Sequence, residues 1–114
     1  MKNILMIVTL TLSLGTASAN ELCKPFVDAI ALGTIAKECV DVVSASSNER
    51  QSLQTNVSCK AYRKFKDDIV IGLSLMNAGV QKACLSVNPT YLSKLNETSE
   101  YIDLLNPYLR KYGL

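Results

Sequence analysis

The residues with most chemistry to offer are four cysteines, Cys23, Cys39, Cys59 and Cys84. A thiolate can attack an electrophile or hold a metal, whereas an oxidised pair is a cross-link. The gaps of 16, 20 and 25 residues between them lack the closely spaced pairs that four-thiolate zinc sites use. An even number of cysteines in a small chain bound for an oxidising compartment predicts two disulfides. On that reading no sulfur remains as nucleophile or ligand. The chain also has no histidine, which removes the commonest general base and metal ligand near neutral pH. Of the carboxylates, Asp67 and Asp68 are adjacent, and Glu97 and Glu100 are three apart. Neighbours on a helix point about 100° apart, so the aspartates make a poor acid–base pair. The five glycines are scattered and form no phosphate-cradling loop. The expectation is a protein that is not an enzyme and uses no metal or cofactor.

Candidate binding residues lie elsewhere. Lys60, Arg63, Lys64 and Lys66 form a basic run with Tyr62 and Phe65 interleaved. Lys60, Arg63 and Lys64 share a helix face at three-and-four spacing, which suits docking onto an acidic protein surface. The plainer reading is a solvated face, in which Arg63 with Asp67 and Lys64 with Asp68 offset each other across one turn. Tyr91, Tyr101, Tyr108 and Tyr112 crowd the C-terminal third of a chain without tryptophan. They suit the edge of a core, although tyrosine also serves binding surfaces. The run Ile69-Val70-Ile71-Gly72-Leu73 fits an apolar buried helix better than a ligand pocket. Asn56-Val57-Ser58 and Asn96-Glu97-Thr98 match the glycosylation acceptor pattern, a weak signal in a chain with this many asparagines.

The N-terminus says where these residues would work. Lys2 precedes an apolar run from Ile4 to Leu14, and Ala17-Ser18-Ala19 follows. That order predicts a signal peptide over residues 1–19, cleaved between Ala19 and Asn20. The exported chain, 20–114, is short enough for a single helical domain. Its compartment is the periplasm if the source is bacterial, as the short leader suggests. Without Lys2 the 12 basic side chains become 11 against 10 acidic ones, so nothing in the charge balance draws it to nucleic acid. No later apolar run is long enough for an integral membrane segment; the longest, Ile69 to Val80, contains Ser74 and Asn77 and reads as buried helix.

The elements that must position these residues read as helices throughout. Lys24-Pro25 opens a first helix from Phe26 to about Ser44, with Leu32, Ile35, Ala36, Cys39 and Val43 on one face. Ser46 and Glu49 fit a capping box that starts a second helix. There Leu53, Val57, Ala61, Phe65, Ile69 and Leu73 recur every four residues, a stripe that drifts about 40° per step. The drift predicts a break near Lys66 to Asp68, with an aspartate capping the restart. Asn88-Pro89 begins the last helix, which Asn106-Pro107 is expected to interrupt.

The predicted fold is all-α, a small bundle of four to five short helices stapled by two disulfides. Cys23 and Cys39 on one helix stand about 24 Å apart at 1.5 Å per residue, beyond the roughly 7 Å that a disulfide spans. Folding the first two helices back around Asn48 or Glu49 brings Cys39 level with Cys59 and leaves Cys23 for Cys84; Cys23–Cys59 with Cys39–Cys84 is the alternative. With no chemistry of its own, the chain is expected to bind another exported protein, as an inhibitor or an immunity-type protein. A carrier or sensor of a small apolar ligand and a structural accessory of the envelope are the alternatives.

Overall fold

The structure, a computed structural model, describes residues 21–114. The signal-peptide expectation for residues 1–19 lies outside them. Five helices follow one another, α1 (Lys24–Ser44), α2 (Glu49–Thr55), α3 (Val57–Ser74), α4 (Ala78–Val87) and α5 (Thr90–Lys111), with no strand among the described residues. The expected all-α bundle with two disulfides is the fold observed.

α1 packs along both α3 and α5 and is the spine of the molecule. Pro25 sits in its first turn, where a missing N–H costs nothing. Leu32, Ala36, Cys39 and Val43 are buried as the spacing predicts, with Leu53, Tyr62, Leu105 and Leu109 facing them from the other helices. The N-terminal half is covered on a further face. Phe26 belongs to a second cluster with Cys23 and Cys84, while Ala29 and Gly33 lie against α5 at Thr98.

Asparagine starts the helices. Asn48, Asn56 and Asn77 cap α2, α3 and α4, each side chain accepting from the backbone N–H three residues on. Asn88 accepts from the N–H and hydroxyl of Thr90 at the start of α5. Such caps satisfy donors that a helix cannot pair internally. The expected Ser46–Glu49 capping box is therefore corrected: Ser46 Oγ accepts from the Asn48 N–H two residues on, before the helix begins, and Asn48 is the cap. Asn56 splits the expected second helix into α2 and α3, and its acceptor-like pattern has a structural explanation as a cap.

The expected break at Lys66 to Asp68 is absent, and α3 runs unbroken to Ser74. Its inward residues are Cys59, Tyr62, Lys66, Ile69 and Leu73, a three-and-four repeat that keeps one bearing on the helix. Lys66 hid that repeat, because its stem lies beside Tyr62 and Asn106 with only 25% of the side chain exposed. The chain bends by 106° between α3 and α4 instead. The expectation of a buried helix from Ile69 to Val80 is also corrected, since Val70, Ile71 and Leu75 are exposed at the bend.

α5 passes through Pro107 without interruption. Proline removes the hydrogen bond to the carbonyl of Asp103, but both residues are exposed and water can serve that carbonyl. The last turn carries Leu109 into the core and ends on Gly113, whose φ of 70° lets the Leu114 N–H reach back to Leu109 C=O.

Candidate functional site

Both cross-links join the cysteines expected to pair. Cys23–Cys84 ties the start of α1 to α4 with Cα atoms 5.6 Å apart. Cys39–Cys59 ties α1 to the first turn of α3 at 4.8 Å. The connection between α1 and α3 is not the tight reversal assumed from the sequence, for α2 occupies it, yet Cys39 and Cys59 still lie level. All four residues are buried, and none of the sulfurs is a free thiol. Among the described residues no group of three or more acidic, cysteine or histidine side chains could hold a metal. Intramolecular disulfides of this kind fit an oxidising compartment.

With α3 pinned at Cys59, its two faces are fixed. Tyr62 points inward and is 1% exposed, so it is removed from the candidate binding surface and belongs to the core. Its hydroxyl lies 3.5 Å from Asn106 Oδ1. Burial, reinforced by the negative charges of Asp67 and Asp103, pushes its ionisation up to about 12. Lys66 is also separated from the other cations. It pairs with Asp67 at 3.2 Å and lines a cleft of about 440 Å³ with Tyr62, Val70, Ile71 and Ile102.

Lys60, Arg63 and Lys64 do come together, around an open groove of about 480 Å³ completed by Gln54, Ala61 and Phe65. The expected pairs of Arg63 with Asp67 and Lys64 with Asp68 do not form. Three ion pairs occur among the described residues, and none includes Lys60, Arg63 or Lys64. Arg63 is the best anchored of the three. Its Nη1 donates to Leu53 C=O at 3.4 Å, tying α2 to α3, while its Nε is buried without a partner. The Lys64 ammonium stands 5.3 Å from the ring centroid of Phe65, within range of a cation–π contact.

The apolar stripe read from the sequence is not the buried face: Val57 is 82% exposed, and Phe65, which the sequence placed both in that stripe and in the basic run, is 43% exposed. The repeat that runs inward through Lys66 places Val57 on the outer side of α3 and Phe65 on its flank.

The tyrosines of the last helix sit at core edges. Tyr101, Tyr108 and Tyr112 pack against the main cluster, and Tyr91 meets the Phe26 ring edge-on at 6.0 Å. The Tyr112 hydroxyl donates to Glu49, and Lys111 donates to the same carboxylate at 3.3 Å. Those two bonds hold the Glu49 carboxyl below its ordinary range, Tyr112 contributing most. Asn96 is exposed along α5, while the Thr98 hydroxyl of the same pattern faces Ala29 C=O and Lys94 C=O.

No protein-family model, no characterised protein and no solved structure matches the chain.

Proposed function

We propose that this is an exported protein that acts without chemistry of its own, by occupying the surface of another exported protein as an inhibitor or immunity-type protein does. The observation that carries the reading is the outer face of α3. There Lys60, Arg63 and Lys64 have no acidic partner and surround a groove beside the exposed ring of Phe65. Cations held unpaired on a cross-linked helix complement an acidic protein surface and would steer its approach. An aromatic ring among them adds contact area that water leaves on association. The carrier reading has less support, because the clefts found among the described residues open to solvent and none is an enclosed apolar cavity.

Capture from the exported fraction tests the proposal, with the double variant K60E/K64E beside the parent protein. Arg63 is left in place, since its bond to Leu53 C=O joins two helices. One dominant acidic protein is expected, released by salt and absent from the variant's eluate. Equal capture by the variant would remove this face from consideration.

A further inference from the structure

α2 is two turns long and has a single buried residue, Leu53. A short helix anchored by one side chain keeps its bearing only through contacts made elsewhere along it. Apart from the local bond of the Ser52 hydroxyl to Ser46 Oγ, those contacts are with the C-terminal turn. The Glu49 carboxylate accepts from the Tyr112 hydroxyl and from Lys111, and the Arg50 guanidinium lies 5.2 Å from the centroid of the Tyr112 ring. Tyr112 is a firm post, because its ring packs on the main core cluster.

The other end of α2 faces the basic groove. Leu53 C=O lies in its last turn, where a helix leaves carbonyls without internal partners. Arg63 Nη1 donates to that oxygen at 3.4 Å, the long end of the hydrogen-bonding range. Arg63 has no ion pair among the described residues, and its Nε is buried without a partner. The guanidinium is therefore placed by where α2 holds one carbonyl. Gln54, the next residue of α2, lines the same groove. We infer that α2 is a strap through which the C-terminal turn positions Arg63 in the basic groove, so that the grip on a partner depends on the Glu49 contact at the opposite end of this helix. The inference rests on the groove being the docking face, and adds what controls it. Glu49 and Tyr112 are positioning residues that act through Arg63. Any event that draws Tyr112 away from Glu49 loosens the groove, which couples the C-terminal turn to partner affinity.

Solvent exchange of the Arg63 Nε–H, followed by NMR on the disulfide-bonded protein without any partner, tests the inference. The chain has only Arg50, Arg63 and Arg110 as arginines, so the side-chain spectrum is simple, and the buried Arg63 proton is expected to exchange slowest of the three. Glu49→Ala and Tyr112→Phe should each speed its exchange by about tenfold, the scale of a lost hydrogen bond to a charged group, while backbone amides of α1 and α3 stay protected. Lys24→Ala, which removes the exposed Lys24–Asp28 pair at the start of α1, should leave the Arg63 proton as it is in the parent. In the capture experiment the acidic partner should leave Glu49→Ala at lower salt than the parent. Equal capture by K60E/K64E would remove the docking face, whereas the Arg63 proton reports on the strap whether or not a partner is found. An Arg63 exchange rate unchanged in both variants would overturn the inference. So would a rise matched by backbone amides throughout α1 and α3, since the whole fold and not the strap would then have loosened.

Discussion

Gly33 of α1 lies directly against Thr98 of α5, so close that a methyl group at Gly33 would overlap the Thr98 hydroxyl and come within 3.0 Å of its Cβ. The threonine cannot simply turn aside. Its Oγ1 is 3.1 Å from Ala29 C=O across the interface and 3.0 Å from Lys94 C=O on its own helix. The absence of a side chain at Gly33 is what lets the two longest helices meet. Gly33→Ala should therefore destabilise the fold by about 1–3 kcal/mol, the usual cost of overpacking a tight core. Denaturant unfolding measures it, and adding Thr98→Ala should recover part of the loss.

The two disulfides should differ in reach as well as in size. In the chain-entropy picture, closing 20 residues at Cys39–Cys59 contributes about 3 kcal/mol and closing 61 residues at Cys23–Cys84 about 4 kcal/mol, with less than the sum for the two together. Cys84 is the only buried residue of α4. Replacing Cys23 and Cys84 by alanine should therefore release α4 while α1, α3 and α5 keep their shared core. Hydrogen exchange checks this through protection lost in α4 and at the start of α5. Replacing Cys39 and Cys59 should instead lower protection throughout α1 and α3.

The contact of Glu49 with Tyr112 and Lys111 gives the junction of α2 and α5 a pH dependence. Because the folded protein holds the Glu49 carboxyl below its ordinary value of 4.5, its contribution is complete above that value and is lost as pH falls through the lowered one. Tyr112→Phe should move the Glu49 titration back up, and carbon-detected NMR of the side-chain carboxyl reads the shift. Lys111 is raised chiefly by the same carboxylate. Its contribution is complete below its ordinary value and fades as pH rises through the raised one.

Tyr62 makes the opposite prediction at alkaline pH. Its ionisation is raised to about 12 by burial and by the charges of Asp67 and Asp103. The neutral phenol is thus favoured by folding, and stability should decline as pH climbs from its ordinary value of 10 toward that figure. Ultraviolet titration should show a late tyrosine step that Tyr62→Phe abolishes.

Much of this architecture was legible in the sequence, for reasons that also explain what was not. Cys39 and Cys59 paired as expected because two helices joined by any short reversal place them level, whether the reversal is a tight turn or the helix α2. The face of α1 was readable because its apolar residues keep helical spacing without a charged interruption. On α3 the inward repeat passes through Lys66, while Val57 on the outer side and Phe65 on the flank are exposed, so side-chain type and direction disagree. Of the basic run, spacing identified Lys60, Arg63 and Lys64 as neighbours. It could not show that Arg63 would bond Leu53 or that both expected acidic pairs would fail to form. The bend after Ser74 was hidden because its signal is a single asparagine, Asn77, within an otherwise apolar stretch. Pro107 misled in the other direction, since an exposed final turn tolerates a lost backbone bond that a buried one would not.

Non-reducing peptide mapping of freshly isolated protein, combined with thiol titration and metal analysis, bears most directly on the central claim that all four sulfurs are committed to cross-links and that activity resides in the surface they brace. The account predicts one peptide pair joined through Cys39 and Cys59, another through Cys23 and Cys84, no titratable thiol and no bound zinc. Free thiol, zinc held by cysteine, or a different pairing would contradict it.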